Sequence, residues 1–115
     1  MDKVVVSIGG SVLIPGKDDS EYIARLAKML LSLKDEVQIA VVVGGGRTAR
    51  YYASTGRELG GDTRQLDIMG IGATRLNAQL LGLALGDMPD KVPETAEETA
   101  RLSRPGRIVV MGGTE

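Results

Sequence analysis

The chain has 115 residues, enough for one small domain with one hydrophobic core. Its 14 basic and 15 acidic residues give a net charge of −1, and this balance excludes the basic surface that is typical of nucleic-acid-binding proteins. Cysteine, histidine, phenylalanine and tryptophan are absent, which excludes disulfides, thiolate zinc sites and His-based triads and leaves three tyrosines for stacking bases. The remaining backbone amides, Lys, Arg, Asp, Glu, Ser and Thr suit phosphate binding and phosphoryl transfer, in which positioning and charge supply most of the catalysis.

The first predicted element is a buried β-strand over residues 3–8, a short β-branched run that ends at the glycine pair Gly9 and Gly10. This strand begins almost at the N-terminus, and no basic segment precedes it as in a signal peptide. No apolar run in the chain is expected to approach the length that crosses a membrane. These features predict a cytoplasmic location.

The next predicted elements are a helix, a strand and a second helix. Residues 21–34 place their apolar side chains on one face at helical spacing, and residues 37–43 form another β-branched run. That run ends at the glycine triplet of VVVGGGRTAR, after which a helix is expected from Gly46 or Arg47 to about Gly56. Strands that alternate with helices in this way are typical of a parallel sheet.

The most apolar predicted element is a helix over residues 64–85, whose apolar side chains cover nearly its whole circumference. A helix of this kind needs cover on nearly all sides. It also contains Gly70, Gly72 and Gly82, each of which costs about 1 kcal/mol relative to alanine in a helix, so a close approach of another helix is expected there. A second subunit is the expected cover, and a central position in a larger monomer is the alternative.

The last part of the chain is predicted to hold a connector, a short helix and a strand. The connector has room for one short strand near Val92, residues 94–103 form a charged, exposed helix, and residues 107–111 form the last strand. This alternation predicts an α/β fold with a parallel sheet covered on both faces. Because no further helix follows to complete the cover, we expect the chain to be the N-terminal part of a longer protein. The alternative is a complete three-strand domain that is covered by oligomerisation.

Each predicted strand ends in glycines, at residues 9–10, 44–46 and 112–113. Ligands of parallel α/β sheets bind beyond the carboxyl ends of the strands, where glycine lets the backbone approach them closely. A helix that starts just after the turn adds unpaired N–H groups, and Arg47 and Arg50 add cationic donors. The pattern predicts a phosphate site at the second turn. Plain turn chemistry is the alternative, but it needs one glycine rather than three.

Two common phosphate-binding motifs account poorly for the glycine pattern. The loop G-x-x-x-x-G-K-[ST] is absent from the sequence. Gly44, Gly46 and Ala49 fit the loose dinucleotide fingerprint G-x-G-x-x-A, which also requires a second strand ending in an acidic residue about 20 positions further on. Asp62 and Asp67 lie near that distance, but in a loop and a helix, so dinucleotide binding is disfavoured.

Four stretches, in the order VVVSIGGSVL, VVVGGGRTAR, LDIMGIGATRLNAQLL and IVVMGGT, together resemble the amino acid kinase family. Within that family they are most similar to the archaeal type of uridylate (UMP) kinase. The resemblance implies a three-layer α/β/α sandwich with a mainly parallel sheet, incomplete at the C-terminus, of which residues 1–115 would be the N-terminal, acceptor-side part. It also implies a homo-oligomer in which dimers build a hexamer through the helix at residues 64–85.

The resemblance implies a nucleoside monophosphate kinase that transfers the γ-phosphoryl group of Mg-ATP to UMP and gives UDP, in pyrimidine nucleotide biosynthesis. The residues that it assigns to the ATP phosphates are Gly9, Gly10, Ser11, Gly46 and Arg50. The residues that it assigns to UMP are Gly45, Asp67, Gly113 and Thr114. Gly10, Ser11 and Arg50 would take part in catalysis, and no metal ligand is implied in this chain.

Some of these residues also have a simpler interpretation. Arg50 is equally compatible with a solvated helix arginine, and Asp67 with a first-turn carboxylate that the helix dipole favours, so only the resemblance assigns them to a ligand. Thr74, Arg75 and Asn77 lie in the stretch GIGATRLNA. We predict that these three are packing or interface residues rather than ligands.

One position departs from the pattern of the wider family. Many members carry a lysine two residues before the first glycine pair, and this chain has Ser7 there, as archaeal uridylate kinases often do. The adenine site and the other lysine of the family would lie beyond Glu115, so this chain alone is expected to be inactive. Two other functions stay open: a family kinase that phosphorylates acetylglutamate, carbamate, isopentenyl phosphate or aspartate, or a non-catalytic nucleotide-binding module.

Overall fold

The computed structural model describes residues 2–14, 16–17, 19–88 and 92–113, which form three strands and five helices. In chain order these are β1 (Asp2–Ile8), α1 (Gly10–Leu13), α2 (Asp19–Leu33), β2 (Val37–Val43), α3 (Gly46–Glu58), α4 (Thr63–Leu85), α5 (Ala96–Leu102) and β3 (Ile108–Gly112). The main predicted strands and helices are all present. The short strand expected near Val92 does not form in the described part of the connector, residues 86–88 and 92–95, whereas residues 89–91 lie outside the described residues.

The three strands form one parallel sheet in the order β1-β2-β3. The register aligns Val6, Val41 and Val110 across the sheet, so alternate residues of all three strands face the same side. β2 is the central strand and is paired along both of its edges. The parallel pairing and the helical crossovers confirm the predicted α/β class.

Helices cover the two faces of the sheet unequally. On one face, α2 and α4 pack on a core that includes Leu30, Val41 and Leu81, all of them buried. On the opposite face, the short helix α5 packs against β3, where the Thr99 hydroxyl donates to the Met111 sulfur at 3.1 Å. The sheet therefore lies between two helical layers, of which the second is much smaller.

The prediction that β1 is a buried strand is wrong. β1 lies at the edge of the three-strand sheet, and Ile8 is its only buried residue. Val5, on the same face as α5, is 69% exposed, because α5 packs on β3 and does not extend over β1. A β-branched run predicts that a strand forms, but it does not predict the position of that strand in the sheet.

α4 begins and ends at well-formed caps. The Asp62 carboxylate accepts a hydrogen bond from the backbone N–H of Gln65 at 2.8 Å, and the Gln65 side chain accepts one from the N–H of Asp62 at 2.9 Å. This reciprocal capping box satisfies two N–H groups that have no partner inside the helix. At the other end, Gly86 takes a positive φ of 76°, which ends the helix.

α4 is less buried than its composition predicts. Its inner side contacts α2, α3 and β3, whereas Ile68, Leu76 and Leu83 on its outer side are 60–61% exposed. A methyl group added to Gly70 or Gly72 would meet no atom within 4 Å. The close helix approach expected at these two glycines is therefore not made among the described residues of this chain.

By length and composition alone, α4 could cross a membrane, since it has 23 residues and a mean hydropathy of 1.2 over its most apolar stretch. This corrects the expectation that no apolar run approaches that length. In the structure, 33% of the stretch is buried within the domain, and the helix packs against the sheet and α3. Core helices of globular domains have the same properties, so length and composition are weak evidence for a membrane span.

Candidate functional site

The carboxyl ends of the three strands bring the glycine turns together. The register aligns Ile8, Val43 and Gly112 at this edge of the sheet. The N–H of Gly44 donates to the Ile8 carbonyl oxygen at 2.9 Å, and the N–H of Gly113 donates to the Val43 carbonyl oxygen at 2.8 Å. The three turns therefore form one continuous edge, in the region where parallel sheets bind ligands.

The first and second glycine turns pack backbone against backbone. A methyl group on Gly10 would overlap the nitrogen of Gly46 and lie 2.6 Å from the carbonyl carbon of Gly45. A methyl group on Gly46 would lie 2.6 Å from the carbonyl carbon of Gly10, and Gly46 also has a positive φ of 58°. Gly10 and Gly46 are thus needed for the contact between the turns. Gly9 differs, because a methyl group there would approach only Val12, at 3.8 Å.

Arg50 connects α3 with the first glycine turn. Its Nη2 atom donates to the Ser11 Oγ atom at 3.0 Å, and both side chains are exposed. Two residues from separate sequence motifs are therefore direct neighbours at the junction of the turns. Arg47, the other predicted cationic donor, lies instead against Gly16 in the loop before α2.

A cleft of about 830 Å³ opens between α3 and α4, which is large enough for a small-molecule ligand. Three of the predicted site residues line it: Gly45, Arg50 and Asp67. Gly45 belongs to the second glycine turn and Arg50 lies in the α3 helix that follows it, whereas Asp67 lies in the N-terminal part of α4. The cleft therefore combines glycine backbone, a guanidinium and a carboxylate, groups that bind phosphate oxygens and hydroxyls.

Most of the other residues that line the cleft were not predicted from the sequence. Arg57, Asp62 and Thr63 lie where the chain passes from α3 to α4. The remaining lining residues are Ala49, Ala53, Gly61, Leu66, Gly70, Ile71 and Thr74. A signal for part of this wall was present, because Arg50, Ala53 and Arg57 repeat at helical spacing and therefore share one face of α3.

Two buried polar side chains of α4 contact the glycine turns. Asn77 is 5% exposed and donates through Nδ2 to the carbonyl oxygens of Gly44, at 2.9 Å, and Gly45, at 3.2 Å. The Thr74 hydroxyl lies 2.8 Å from the carbonyl oxygen of Gly113. Both side chains are packed inside this chain, as predicted, and Thr74 also lines the cleft.

The third turn is described as far as Gly113, which is half-buried. Thr114, the predicted contact of the UMP phosphate, lies outside the described residues. Arg75, the third polar residue singled out in α4, is partly exposed and forms an ion pair with Glu94 at 3.8 Å. Arg75 is therefore a surface residue that contacts the segment before α5.

A comparison with known protein families identifies the family of this chain. The model of the amino acid kinase family matches residues 2–113, nearly the whole chain. The chain belongs to the amino acid kinase family. This confirms the family inferred from the glycine-rich motifs, and it agrees with a site built from glycine turns at the carboxyl ends of parallel strands.

Similar amino acid kinase family members include archaeal uridylate kinases. The chain is 48% identical to the uridylate kinase of Methanothermobacter thermautotrophicus over 114 residues, which cover 98% of this chain and 50% of the relative. Its structure is similar to that of the uridylate kinase from Archaeoglobus fulgidus, with a TM-score of 0.83 and 46% identity over 100% of this chain and 51% of that one. The chain thus spans about half the length of the curated relatives it matches.

A more distant structure shares the amino acid kinase fold. The UMP kinase from Bacillus anthracis is 19% identical, with a TM-score of 0.68 over 98% of this chain and 52% of that one. At this level of identity the similarity shows a shared fold.

Proposed function

We propose that this chain is the N-terminal, acceptor-binding part of a UMP kinase, which acts in the cytoplasm, transfers the γ-phosphoryl group of Mg-ATP to UMP and gives UDP. The contact between Arg50, on the wall of the cleft, and Ser11, in the first glycine turn, carries this proposal. It joins the turn expected to hold the donor phosphates to the cleft expected to hold the acceptor. The archaeal uridylate kinases, at 44–49% identity, support UMP as that acceptor.

On the donor side, we assign Gly9, Gly10, Ser11, Gly46 and Arg50 to the phosphates of ATP. The exposure of Gly9, Ser11 and Arg50 supports this assignment. The Arg50 guanidinium would stabilise the negative charge on the phosphoryl group during transfer, and Gly10 and Ser11 would take part in holding that group.

On the acceptor side, we assign Gly45, Asp67, Gly113 and Thr114 to UMP. The Asp67 carboxylate lines the same cleft as Gly45 and is suited to accept hydrogen bonds from the ribose hydroxyls. The phosphate of UMP would then lie at the Gly45 end, next to Arg50. An oxygen of that phosphate would attack the γ-phosphorus of ATP, and ADP would leave.

We assign Mg²⁺ to the phosphates of ATP. In the ranges that the structure describes, no three His, Cys, Asp or Glu side chains are grouped so that they could hold a metal ion. Magnesium bound mainly through phosphate oxygens and water is the usual arrangement in phosphoryl transfer. Mg²⁺ would supply further neutralisation of charge on the phosphates when ATP is bound.

Calorimetric titration of this chain with UMP, CMP and AMP tests the acceptor assignment. We expect UMP to bind most tightly, and Arg50→Ala and Asp67→Ala each to weaken that binding at least about tenfold, since each removes a hydrogen bond that involves a charged group. The matched controls are Arg25→Ala and Asp35→Ala, which change the same charges at exposed positions away from the cleft.

Equal binding of the three nucleotides, or no effect of either substitution in the cleft, would contradict the acceptor assignment. If a folded chain binds none of the nucleotides, the titration is repeated on a chain continued to the length of the relatives. Binding by the longer chain alone would indicate that the remaining part completes the site, whereas no binding by either chain would reject UMP as the ligand.

A non-catalytic nucleotide-binding module is the second candidate function, because Ser7 stands where many members of the wider family have a lysine. Archaeal uridylate kinases often lack that lysine too, so turnover has to decide between the two functions. Ser7 is exposed near the end of β1 and cannot neutralise charge on a transferring phosphoryl group as a lysine would. Tight UMP binding without turnover, measured in a protein of the full length of the relatives, would favour this second function.

We also propose that the exposed side of α4 forms a subunit contact, in an assembly of dimers that builds a hexamer. Ile68, Leu76 and Leu83 form an exposed apolar stripe along the helix, which supports this assignment. Leu76→Glu is expected to lower the molar mass measured by light scattering. Met29→Glu, at an exposed apolar position of α2, is the matched control and is expected to leave the mass unchanged.

A further inference from the structure

The side chain of Asn77 holds two consecutive peptide groups of the second glycine turn. Its Nδ2 atom donates to the carbonyl oxygens of Gly44, at 2.9 Å, and Gly45, at 3.2 Å. Both partners are acceptors, so only the NH₂ end of the amide can serve them, and this determines the orientation of the side chain. Because Asn77 is 5% exposed, water has little access to replace these bonds.

These two hydrogen bonds determine the direction of the neighbouring N–H groups. In a planar trans peptide, the carbonyl and the following N–H point in opposite directions, and the described residues contain no cis peptide. With the carbonyls of Gly44 and Gly45 turned towards Asn77, the N–H groups of Gly45 and Gly46 point away from it. The Gly46 nitrogen lies beside Gly10, so its N–H is at the junction of the first two turns.

The same helix also contacts the third turn. The Thr74 hydroxyl lies 2.8 Å from the carbonyl oxygen of Gly113, and a methyl group on Gly112 would lie 2.8 Å from the backbone nitrogen of Arg75. Asp67, on the wall of the cleft, belongs to this helix as well. A single rigid element therefore sets the relative positions of two turns and of the carboxylate.

We propose that Asn77 is a positioning residue that orients the N–H groups of Gly45 and Gly46 towards the nucleotide phosphates. It does not touch the ligand and acts only through the turn. Three consecutive glycines have large conformational freedom, and a side chain that restrains them before binding reduces the entropy lost when a phosphate is bound. This inference rests on the proposed function and deepens it, because it names the residue that prepares the turn.

The test compares Asn77→Ala and Asn77→Asp with Leu81→Ala. Asp keeps the size of the side chain, but a carboxylate accepts hydrogen bonds and cannot donate them. Leu81 is a fully buried core residue of the same helix and serves as the control for a loss of stability alone. Residual dipolar couplings, measured by NMR on the labelled chain, report the N–H directions of Gly45 and Gly46. Titrations with UMP and with uridine isolate the contribution of the phosphate.

We expect both Asn77 variants to change the N–H directions of Gly45 and Gly46 while the couplings of the sheet stay the same. The preference for UMP over uridine is expected to fall at least about tenfold, with the affinity for uridine unchanged. Leu81→Ala is expected to lower the melting temperature and to preserve both the N–H directions and the preference for UMP. A purely structural role of Asn77 would produce the pattern of Leu81→Ala instead.

A folded Asn77→Ala chain with unchanged N–H directions would overturn the inference, and so would changed directions with an unchanged preference for UMP. If either variant does not fold, Asn77→Ser, which keeps a shorter polar side chain, takes its place. If the signals of Gly45 and Gly46 respond neither to UMP nor to inorganic phosphate, both in this chain and in a chain continued to the length of the relatives, the proposed function is overturned. The couplings would then decide separately whether Asn77 orients the turn.

Discussion

β1 and β2 have nearly the same sequence pattern, a run of valines followed by glycines, but they have different surroundings. β2 is the central strand, and its Val41 and Val43 are fully buried. β1 is an edge strand, and its Val5 is mostly exposed. The composition of a strand thus predicts its conformation, while its neighbours in the sheet decide how much of it is buried.

The turns that follow these two strands differ in the same way. The first turn exposes Gly9 and Ser11, whereas the second turn is held from within the domain by Asn77. Gly10 and Gly46 form the contact between the two turns. The first turn is therefore more open to a ligand, and the second is more strongly restrained by the protein.

The largest difference in unfolding free energy is expected between substitutions at two neighbouring glycines of the first turn, Gly10 and Gly9. Gly10→Ala should lower the free energy of unfolding by about 3 kcal/mol, because the added methyl group overlaps the backbone of the second turn. Gly9→Ala is the control, at a backbone φ of −62° that alanine adopts readily, and is expected to cost less than about 1 kcal/mol. Urea unfolding measures both values. Equal losses at the two positions would show that the turns are not in backbone contact.

A threonine in place of a buried valine probes the central strand. Val41→Thr keeps the shape of the side chain but buries a hydroxyl, and it is expected to cost about 2 kcal/mol of unfolding free energy. The midpoint of urea unfolding should shift while its slope stays the same. A loss below about 0.5 kcal/mol would indicate that Val41 has access to water.

The hydrogen bond between Arg50 in α3 and Ser11 in the first turn is expected to contribute less to stability than the buried contacts. Ser11→Ala removes the acceptor of the Arg50 guanidinium, but both side chains are exposed, so the cost should be about 0.5 kcal/mol. Ser54→Ala, at an exposed position on α3, is the matched control. Thermal unfolding followed by circular dichroism compares the two variants. Identical melting temperatures of the two variants would mean that this bond contributes no measurable stability.

The smallest effect is expected on the exposed face of the edge strand. Val5→Thr makes the same chemical change as Val41→Thr, but the added hydroxyl remains in water, so unfolding free energy should change by less than about 0.5 kcal/mol. The same urea titration applies. A loss as large as that of Val41→Thr would mean that this face of β1 is covered in solution, and the contrast between the two strands would not hold.

Local patterns were sufficient to predict the main elements, because a β-branched run, a helical repeat or a capping residue acts within a few neighbouring positions. The same patterns failed where distant segments meet. The strand near Val92 does not form in the described residues, although Val92 is buried as an apolar residue should be. Arg57 and Thr63 were missed because their place on the wall of the cleft depends on how α3 packs against α4.

The sequence by itself determined the alternation of strands and helices, the glycines at the strand ends and the family, because each depends on residue types at fixed spacing along the chain. Only the tertiary structure decided that Gly10 and Gly46 serve the contact between turns, that Asn77 holds the second turn and that β1 lies at an edge. These properties depend on which segments lie side by side. That arrangement follows from the packing of the whole domain, and the spacing of residues along the chain does not specify this packing.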